Sequence, residues 1–526
     1  MSNNDTKRRR VGADGATIST DSNNYGLVCE ELKDIKSTMN EMMENTRLQT
    51  QNMTNMMQMM KSMQGEIAHL TNECNEMKHI IHETKNRCVD SGTSISTMNS
   101  RFDDVDIKLK YHEILLKNQQ WKYSAPRPSE EYWDGLEDED EAADAEEFLK
   151  EIKQRTEEMR YGIGEGNINI DVMLPYNGEC QPHWEEFANA LEQYQYRLKC
   201  LPKDTDTALG LFYMELPNEV VELLSKALES THFTGFTLRD NSLGQSGIDF
   251  ALEYLQRNCI LSFFSLCDNT INSMKDIEQL CEIVEAHPSI DALSLVKCRG
   301  ADVDGYEMLQ MIMTAGKIKL KVLNLSQNGI STGGDTFISD FLAGNPMLKT
   351  LWLNGNQLDD NDAIAIAGAL KHNKNLRSLD VKNNRKISKA GWLALRKAEF
   401  DETSLNSAAD SNHTCLIEYQ LLQGLGISEI NGDDSDYCFA PMYVRQKKIY
   451  TVLSSRNRGC TNVGHFNDVP VELLPDILSS IERYSEYHIH DHAPPQSAND
   501  VKPISLMLEI LQRWDKSLAV FESLSS

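Results

Sequence analysis

The sequence predicts an α/β solenoid, preceded by a long N-terminal α-helical coiled coil and closed by a helical C-terminal cap. Three observations lead to this fold class. One apolar spacing recurs six times between Phe233 and Asn384, with a period of 28 to 30 residues. A heptad of apolar residues runs from Val28 to Gln119. Helical patterns without the repeat period then follow residue 400.

Each repeat follows the spacing L-x-x-L-x-L-x-x-N-x-L, and the six units begin at Phe233, Leu261, Ile290, Leu320, Leu348 and Leu376. Apolar residues two positions apart lie on one face of a short strand, so the residue between them points the other way. A helix in each unit packs behind the parallel strands and buries the leucines. The Asn turns inward and satisfies buried backbone groups, and Cys298 takes its place structurally in the third unit.

With 28 to 30 residues and a full helix in each unit, the array resembles the ribonuclease-inhibitor-type leucine-rich repeats over roughly 204–400. The resemblance implies a horseshoe whose parallel strands line a concave face. We predict the regular repeats at 233–400 and an N-terminal cap with a degenerate repeat at 165–232. A helical C-terminal cap is predicted at 401–526, with helices near 444–456, 470–484 and 502–521.

Residues 26–120 are predicted to form the coiled coil, after a disordered tail at 1–25. If Leu32 takes heptad position a, four pairs of flanking residues have opposite charges in a parallel dimer: Glu31–Lys36, Glu73–Lys78, Arg101–Asp106 and Lys108–Glu113. The pattern favours a homodimer, although methionines in the seam leave a trimer or a different partner open. Residues 121–164 contain the run from Glu137 to Glu147 and are predicted to be an acidic linker.

Composition limits the possible functions. A net charge of −28 argues against a general nucleic-acid binder or a protein that binds anionic membranes, because both need a positive face. No apolar run reaches the roughly 18 residues that a membrane span needs. Twelve scattered cysteines and the absence of a signal sequence indicate an intracellular protein. The basic block Lys7, Arg8, Arg9 and Arg10 is either a nuclear-import signal or a solvated tail, so cytoplasm and nucleus both remain open.

Catalytic and cofactor motifs are not found in the sequence, which has no nucleophile elbow, P-loop, dinucleotide fingerprint or kinase signature. His488, His490 and His492 resemble part of a binuclear-metal motif, but one residue of its spacing is missing and a polar loop fits better. We therefore expect no enzyme activity, no metal and no cofactor.

The concave face is the candidate binding surface, because its positions alternate with the buried leucines. Apolar residues on a solvent-facing sheet are typical of a protein interface, and Trp352 is the strongest anchor among them. We expect Trp352 to lie beside Val322 on one neighbouring strand and Asp380 on the other. The predicted partner-binding residues are Arg239, Phe263, Val296, Val322, Asn324, Trp352, Asn354, Asp380 and Lys382.

These features predict a protein-protein interaction scaffold, a coiled-coil oligomer that presents its concave face to a protein partner. Two alternatives remain. The repeat class is similar to that of the Ran GTPase-activating proteins, which implies a regulator of a small GTPase, although their functional residues have no specific match here. The combination of helical segments, a short repeat array and a terminal helix is similar to tropomodulin, which implies actin-filament capping.

Overall fold

In the computed structural model, the structure describes residues 92–136, 139–163, 166–174, 176–418, 441–457 and 473–480. The chain divides into two units, 1–113 and 114–526. Several predictions fall outside the described residues: the tail at 1–25 with its basic block, the coiled coil over 26–91, the histidines near 490 and the helix at 502–521.

The second unit is built on one open parallel sheet whose nine strands follow chain order. This arrangement confirms the predicted solenoid architecture. The strands are β1 (Asn167–Leu174), β2 (Ala208–Met214), β3 (Gly235–Arg239), β4 (Phe263–Cys267), β5 (Ala292–Ser294), β6 (Val322–Asn324), β7 (Thr350–Trp352), β8 (Ser378–Asp380) and β9 (Leu416–Glu418).

Between consecutive strands from β1 to β8 the chain forms helices that pack behind the sheet, and further helices precede β1 and follow β8. Among the described helices, none has the length and apolar character needed to cross a membrane. In chain order they are α1 (Gly92–Asn118), α2 (Glu130–Asp134), α3 (Glu139–Tyr161), α4 (Gln181–Cys200), α5 (Asn218–Ala227), α6 (Gln245–Arg257), α7 (Met274–Ala286), α8 (Gly305–Gly316), α9 (Phe337–Ala343), α10 (Asp360–Leu370), α11 (Lys389–Glu399), α12 (Leu405–Asp410) and α13 (Pro441–Asn457).

The landmark leucines set the strand register as predicted. Leu323, Leu351 and Leu379 pair with one another across β6, β7 and β8, and all three are buried in the main core. Leu325 and Leu353, two positions further along, are buried as well. The residues between these leucines therefore face the concave side, because successive side chains of a strand point to opposite faces.

A ladder of inward-turned Asn side chains joins neighbouring repeats. The Oδ1 atom of Asn356 accepts hydrogen bonds from the backbone N–H groups of Asn328 (2.9 Å) and Ile330 (3.1 Å). Its Nδ2 atom donates to the carbonyl oxygens of Leu325 and Leu353, each at 3.0 Å. The predicted structural role of the repeat Asn is thus present, because each side chain satisfies backbone groups that the turn buries.

Cys298 takes the same place in the third repeat, as predicted. Its side chain is fully buried and its Sγ atom contacts the carbonyl oxygen of Leu266. Burial raises the pKa of the Cys298 thiol well above its usual range and so disfavours the thiolate. The structural role predicted for this cysteine is therefore present.

The chain leaves each of the strands β3 to β8 through a residue with positive φ immediately before the ladder position. This left-handed conformation is rare for most residues, but Asp, Asn and Gly tolerate it best. The repeat accordingly has glycine at Gly355, with φ 68°. The equivalent residues are Asp240, Asp268, Lys297, Gln327 and Asn383.

The predicted acidic linker is wrong for most of its length, because α3 is part of the folded solenoid. Phe148, Ile152 and Met159 lie at helical spacing on α3 and are buried in the main core. The same helix covers the outer edge of β1, which the sequence reasoning did not predict as a strand. Arg155 Nε donates to the Asn169 carbonyl oxygen (2.9 Å), and a Glu151 carboxylate oxygen accepts from the Asp171 N–H (3.1 Å).

This covering has a physical reason. An uncovered strand edge presents unpaired backbone groups that can pair with other chains. The charged face of α3 satisfies those groups on β1, while its apolar face extends the core. The acidic helix α3 is therefore part of a folded N-terminal cap and is not a solvated spacer.

A smaller core lies in the C-terminal cap, where the predicted helix at 444–456 corresponds to α13. Helical residues 474–480 correspond to part of the helix predicted at 470–484. Strand β9 and helix α12 were not predicted. The apolar residues of this core are Phe400, Leu405, Ala408, Ala409, Ile449, Val452, Leu453, Leu473, Leu474 and Ile477.

The end of α1 differs from the predicted coiled-coil seam. Leu115 is buried whereas Leu116, at predicted heptad position a, is 42% exposed. Asn118 Nδ2 donates to the carbonyl oxygen of Arg160 on α3 at 2.7 Å, which anchors the last turn of α1 in the second unit. The helical conformation of 92–118 agrees with the predicted rod, and the pairing of rods stays a prediction.

Candidate partner-binding face

Three columns of outward-pointing residues form the concave face, and strand register defines them. The middle column is Asn169, Gly210, Thr237, Ser265, Ser294, Asn324, Trp352, Asp380 and Glu418. The column nearer the strand starts includes Phe263, Ala292, Val322, Thr350 and Ser378. The third column lies at the ends of β3 and β4 and just after the shorter strands, and it includes Arg239, Cys267, Val296, Ser326, Asn354 and Lys382.

All nine predicted partner-binding residues lie in these columns, but they fall into two groups. Three of them lie on the repeats of β3 to β5: Arg239, Phe263 and Val296. The other six lie on the repeats of β6 to β8: Val322, Asn324, Trp352, Asn354, Asp380 and Lys382. We call the second group the Trp352 cluster.

Trp352 is half-buried at the centre of its cluster, between Asn324 and Asp380 in the middle column. The expected neighbour Val322 instead pairs with Thr350, because the two residues share the first column. The Nε1 donor of Trp352 is covered and has no acceptor among the described residues. A covered donor without an acceptor costs about 1–3 kcal/mol.

Asp380 contradicts the expectation of an exposed carboxylate, because its neighbours bury it to 8% exposure. Asn354 Nδ2 donates to its Oδ2 atom (3.2 Å), and the backbone N–H of Lys382 donates to Oδ1 (2.9 Å). Burial raises the pKa of Asp380 above its usual range. Asn354 also donates to the Ser326 hydroxyl oxygen at 2.8 Å, so its amide is held in place from two sides.

Lys382 connects the Trp352 cluster to the last strand of the sheet. Its Nζ atom donates to a Glu418 carboxylate oxygen at 2.5 Å and lies 3.8 Å from Asp380 Oδ2. The hydrogen bond to Glu418 raises the pKa of Lys382, so this amine remains charged. The charged rim therefore lies beside β8 and β9, next to the indole.

A second charged group surrounds Arg239. Its guanidinium lies 5.1 Å from the centre of the Tyr213 ring, and its Nε atom lies 3.8 Å from Asp268 Oδ2. Lys297 Nζ donates to Asp268 Oδ1 at 2.8 Å, and this hydrogen bond raises the pKa of Lys297. Arg239 is thus partly engaged within the molecule, although its side chain keeps 46% exposure.

Between the two groups the floor of the face is made of small residues. Ser265 and Ser294 are buried, and their hydroxyl groups lie 3.2 Å and 3.6 Å from the Cys267 Sγ atom. Phe263 projects beside this floor with 37% exposure. Ala292 and Val322 continue the same column, so an apolar strip leads from Phe263 towards the Trp352 cluster.

Sequence reasoning missed two residues that shape this face, Cys267 and Glu418. Cys267 ends β4 and pairs with Arg239 of the previous repeat, so the repeat spacing alone could have placed it. Glu418 lies on β9, where the leucine spacing has ended, and its Lys382 contact had no signal in the sequence. Among the described residues, no group of three or more His, Cys, Asp or Glu could hold a metal ion.

Comparison with known proteins agrees with this architecture. A family model described as "Leucine Rich repeat" matches residues 344–367 and 372–395. The first match contains β7 and most of α10, and the second contains β8 and most of α11. Together with the open parallel sheet, they identify the repeats. The protein contains leucine-rich repeats.

Two curated relatives are similar to part of the chain. One is "Rho GTPase-activating protein gacW" from Dictyostelium discoideum, which is 26% identical over 163 residues, or 30% of this chain and 15% of the relative. The other is "NACHT, LRR and PYD domains-containing protein 5" from Homo sapiens, 29% identical over 202 residues, or 38% of this chain and 16% of the relative. The matched part therefore covers less than a fifth of either relative.

Proposed function

We propose that this protein is a non-enzymatic interaction scaffold that binds a protein partner on the concave face, with the Trp352 cluster as the energetic centre. The observation that carries the proposal is the half-buried Trp352 indole between Asn324 and Asp380. Trp is a preferred residue for the centre of a protein interface. The exposed part of its ring supplies apolar area that a partner can cover.

The surroundings of Trp352 support the same interpretation. An apolar strip leads to it from Phe263, while Asp380, Lys382 and Glu418 form a polar edge on its other side. An apolar centre with a polar rim is the usual composition of a protein-binding surface. Several of these polar side chains are already held by hydrogen bonds, so binding would order few additional groups.

Oligomeric presentation is the second part of the proposal. The predicted coiled coil at 26–120 would join two chains into a parallel homodimer, so that each dimer carries two concave faces. The four charge pairs between predicted flanking positions support this orientation. Two linked faces would bind a multivalent partner more tightly than one face does.

A capture experiment tests the face directly. Immobilised wild-type protein is compared with Trp352→Glu, and Leu393→Glu on the outer side of α11 is the matched control, because Leu393 is 49% exposed. Partners are identified by mass spectrometry, purified and titrated back. We expect Trp352→Glu to weaken partner binding by about 2 kcal/mol or more, roughly 30-fold, while the control binds normally.

Trp352→Phe tests whether apolar area at this position carries the binding. This variant keeps an apolar ring but has a smaller contact area, so it should bind more weakly than wild type and more tightly than Trp352→Glu. If both Trp352 variants stay folded and bind every partner as wild type does, the concave-face proposal is refuted.

Regulation of a small GTPase is the second candidate, because one relative is named as a Rho GTPase-activating protein. GTP hydrolysis by a Rho-type GTPase, measured with and without the full chain, tests this candidate. Stimulated hydrolysis would favour it over a passive scaffold. Actin co-sedimentation tests the remaining alternative of filament capping.

A further inference from the structure

The edge of the solenoid where helices lead into strands β6, β7 and β8 is strongly basic. Its three loops, residues 317–321, 344–349 and 371–377, hold seven Lys and Arg residues and neither Asp nor Glu. The chain as a whole has a net charge of −28, so this local excess of positive charge is opposite in sign to the net charge of the protein. We call six of these seven residues, all except Lys319, the basic edge: Lys317, Lys321, Lys349, Lys371, Lys374 and Arg377.

Three of these cations lie directly opposite one another on neighbouring repeats. The backbone N–H of Lys349 donates to the Lys321 carbonyl oxygen, and that of Arg377 donates to the Lys349 carbonyl oxygen, each at 2.7 Å. Neighbouring strands are about 4.8 Å apart, and like charges placed directly opposite one another repel. The isolated chain therefore accumulates positive charge at an unfavourable spacing.

The protein itself neutralises only part of this charge. Lys321 pairs with Asp291 at 2.8 Å, and Lys349 donates to the Asn375 side-chain oxygen at 3.2 Å. Within the described part of the chain, Lys317, Lys371, Lys374 and Arg377 have no carboxylate partner and are exposed. Lys319 differs from them, because its Nζ atom donates to backbone carbonyls at the end of α7, including that of His287 at 2.8 Å.

The loops that carry the cations are held rigidly. The Asn345 side-chain oxygen accepts from the backbone N–H groups of Lys374 (2.9 Å) and Asn375 (3.2 Å). Asn375 in turn donates to the carbonyl oxygens of Asn345 (3.1 Å) and Pro346 (2.9 Å). The edge is thus preorganised, which reduces the entropy that a ligand must remove on binding.

The basic edge is also continuous with the concave face. Lys321, Lys349 and Arg377 are each followed in the chain by a first-column residue, namely Val322, Thr350 and Ser378. We propose that the basic edge binds an acidic segment of the protein partner that occupies the concave face. This inference rests on the proposed function, and it specifies the partner's chemistry: apolar residues for the Trp352 cluster next to a run of Asp or Glu.

Charge favours an acidic protein segment over a nucleic acid. The net charge of −28 repels a long polyanion, and Asp380 and Glu418 lie on the neighbouring concave face. The row of three opposed cations spans only two strand spacings, about 10 Å, which fits one short segment. Duplex DNA carries one negative charge per about 1.7 Å of helix axis, so three cations over about 10 Å would neutralise only part of it.

Fluorescence anisotropy of a labelled glutamate decamer, titrated with the full-length protein at about 50 and 150 mM salt, tests the proposal. The test variant is Lys349→Glu/Arg377→Glu, and the matched control is Lys389→Glu/Lys397→Glu on α11, which makes the same charge change on exposed residues. We expect the edge variant to bind at least tenfold more weakly and the control to change binding less than twofold. Equal losses in both variants, or no saturable binding by wild type, would overturn the proposal.

Carbodiimide cross-linking of the same decamer to wild-type protein locates the site without mutation. Cross-links are expected on Lys321, Lys349, Lys371 and Lys374, and a preference for Lys389 and Lys397 would contradict the assignment. Tighter binding of a single-stranded oligonucleotide or of anionic-lipid vesicles would overturn the choice of an acidic protein segment.

Trp352→Ala keeps this test separate from that of the proposed function. The decamer lacks apolar residues, so Trp352→Ala should bind it as wild type does. Loss of partner capture by Trp352→Ala with unchanged decamer binding supports both proposals. Unchanged capture would refute the concave face, and the decamer titrations would still decide the basic edge.

Discussion

Replacing Asn356 by Ala tests the ladder that joins the repeats. The Asn356 side chain makes four hydrogen bonds to backbone groups, two as acceptor and two as donor. Ala would leave the N–H groups of Asn328 and Ile330 without that acceptor, and both residues are almost fully buried. A buried donor without an acceptor costs about 1–3 kcal/mol. We therefore expect the free energy of unfolding to fall by about 3 kcal/mol or more.

Urea unfolding followed by circular dichroism measures this loss. Asn361→Ala is the matched control, because Asn361 is exposed on α10 and its side chain makes no hydrogen bond to a described residue. This control should cost less than about 0.5 kcal/mol, as surface substitutions usually do.

Hydrogen exchange adds a local measurement. Mass spectrometry of a peptide over 326–333 should show faster exchange in Asn356→Ala, because the affected amides belong to Asn328 and Ile330. A loss below about 1 kcal/mol, or equal losses for Asn356→Ala and Asn361→Ala, would refute the account of the ladder.

Three further predictions concern Cys298, Lys448 and the coiled-coil dimer. Cys298→Asn should stabilise the protein by about 1 kcal/mol, because an amide oxygen accepts backbone N–H groups better than a thiol does, and a lower urea midpoint would contradict this. Lys448 is buried against Glu399 and Cys415, and burial lowers its pKa to about 8. The unfolded chain therefore binds the proton more tightly, and stability relative to Lys448→Met should rise between about pH 8 and 10.5, by up to about 1.4 kcal/mol per pH unit. A pH-independent difference in unfolding free energy would be inconsistent with that shift. Light scattering should give twice the 59.6 kDa chain mass, falling to the monomer value when residues 1–91 are deleted, and a monomeric full-length protein would rule out the coiled-coil dimer.

The repeat region was predictable because its pattern is local and recurs. Leu323, Leu325 and Asn328 each have one structural role, and six copies of the spacing determine their register. The acidic segment was wrongly predicted to be a linker, because its charged composition was given more weight than the helical spacing of its apolar residues. Phe148, Ile152 and Met159 already showed a helical apolar face within the charged run. β1 was missed although Ile168, Ile170 and Val172 alternate with polar residues, which is the usual signal of a strand with one buried face.

The candidate site was predictable in position but not in detail. Strand alternation placed all nine residues on the concave side. It could not show that Asp380 is buried or that Lys382 contacts Glu418, because those contacts join strands of different repeats. The basic edge was overlooked for a related reason, since its cations lie 28 residues apart in the chain and meet only after folding.

The central claim is that a protein partner covers Trp352, and hydroxyl-radical footprinting of the isolated partner complex tests this most directly. Trp392 on α11 is the internal standard, because it is also half-buried and lies on the helical side of the solenoid. We predict that Trp352 oxidation falls severalfold in the complex while Trp392 oxidation stays unchanged. Unchanged oxidation of Trp352, with protection of Trp392 instead, would show that the partner binds the helices and would contradict the concave-face account.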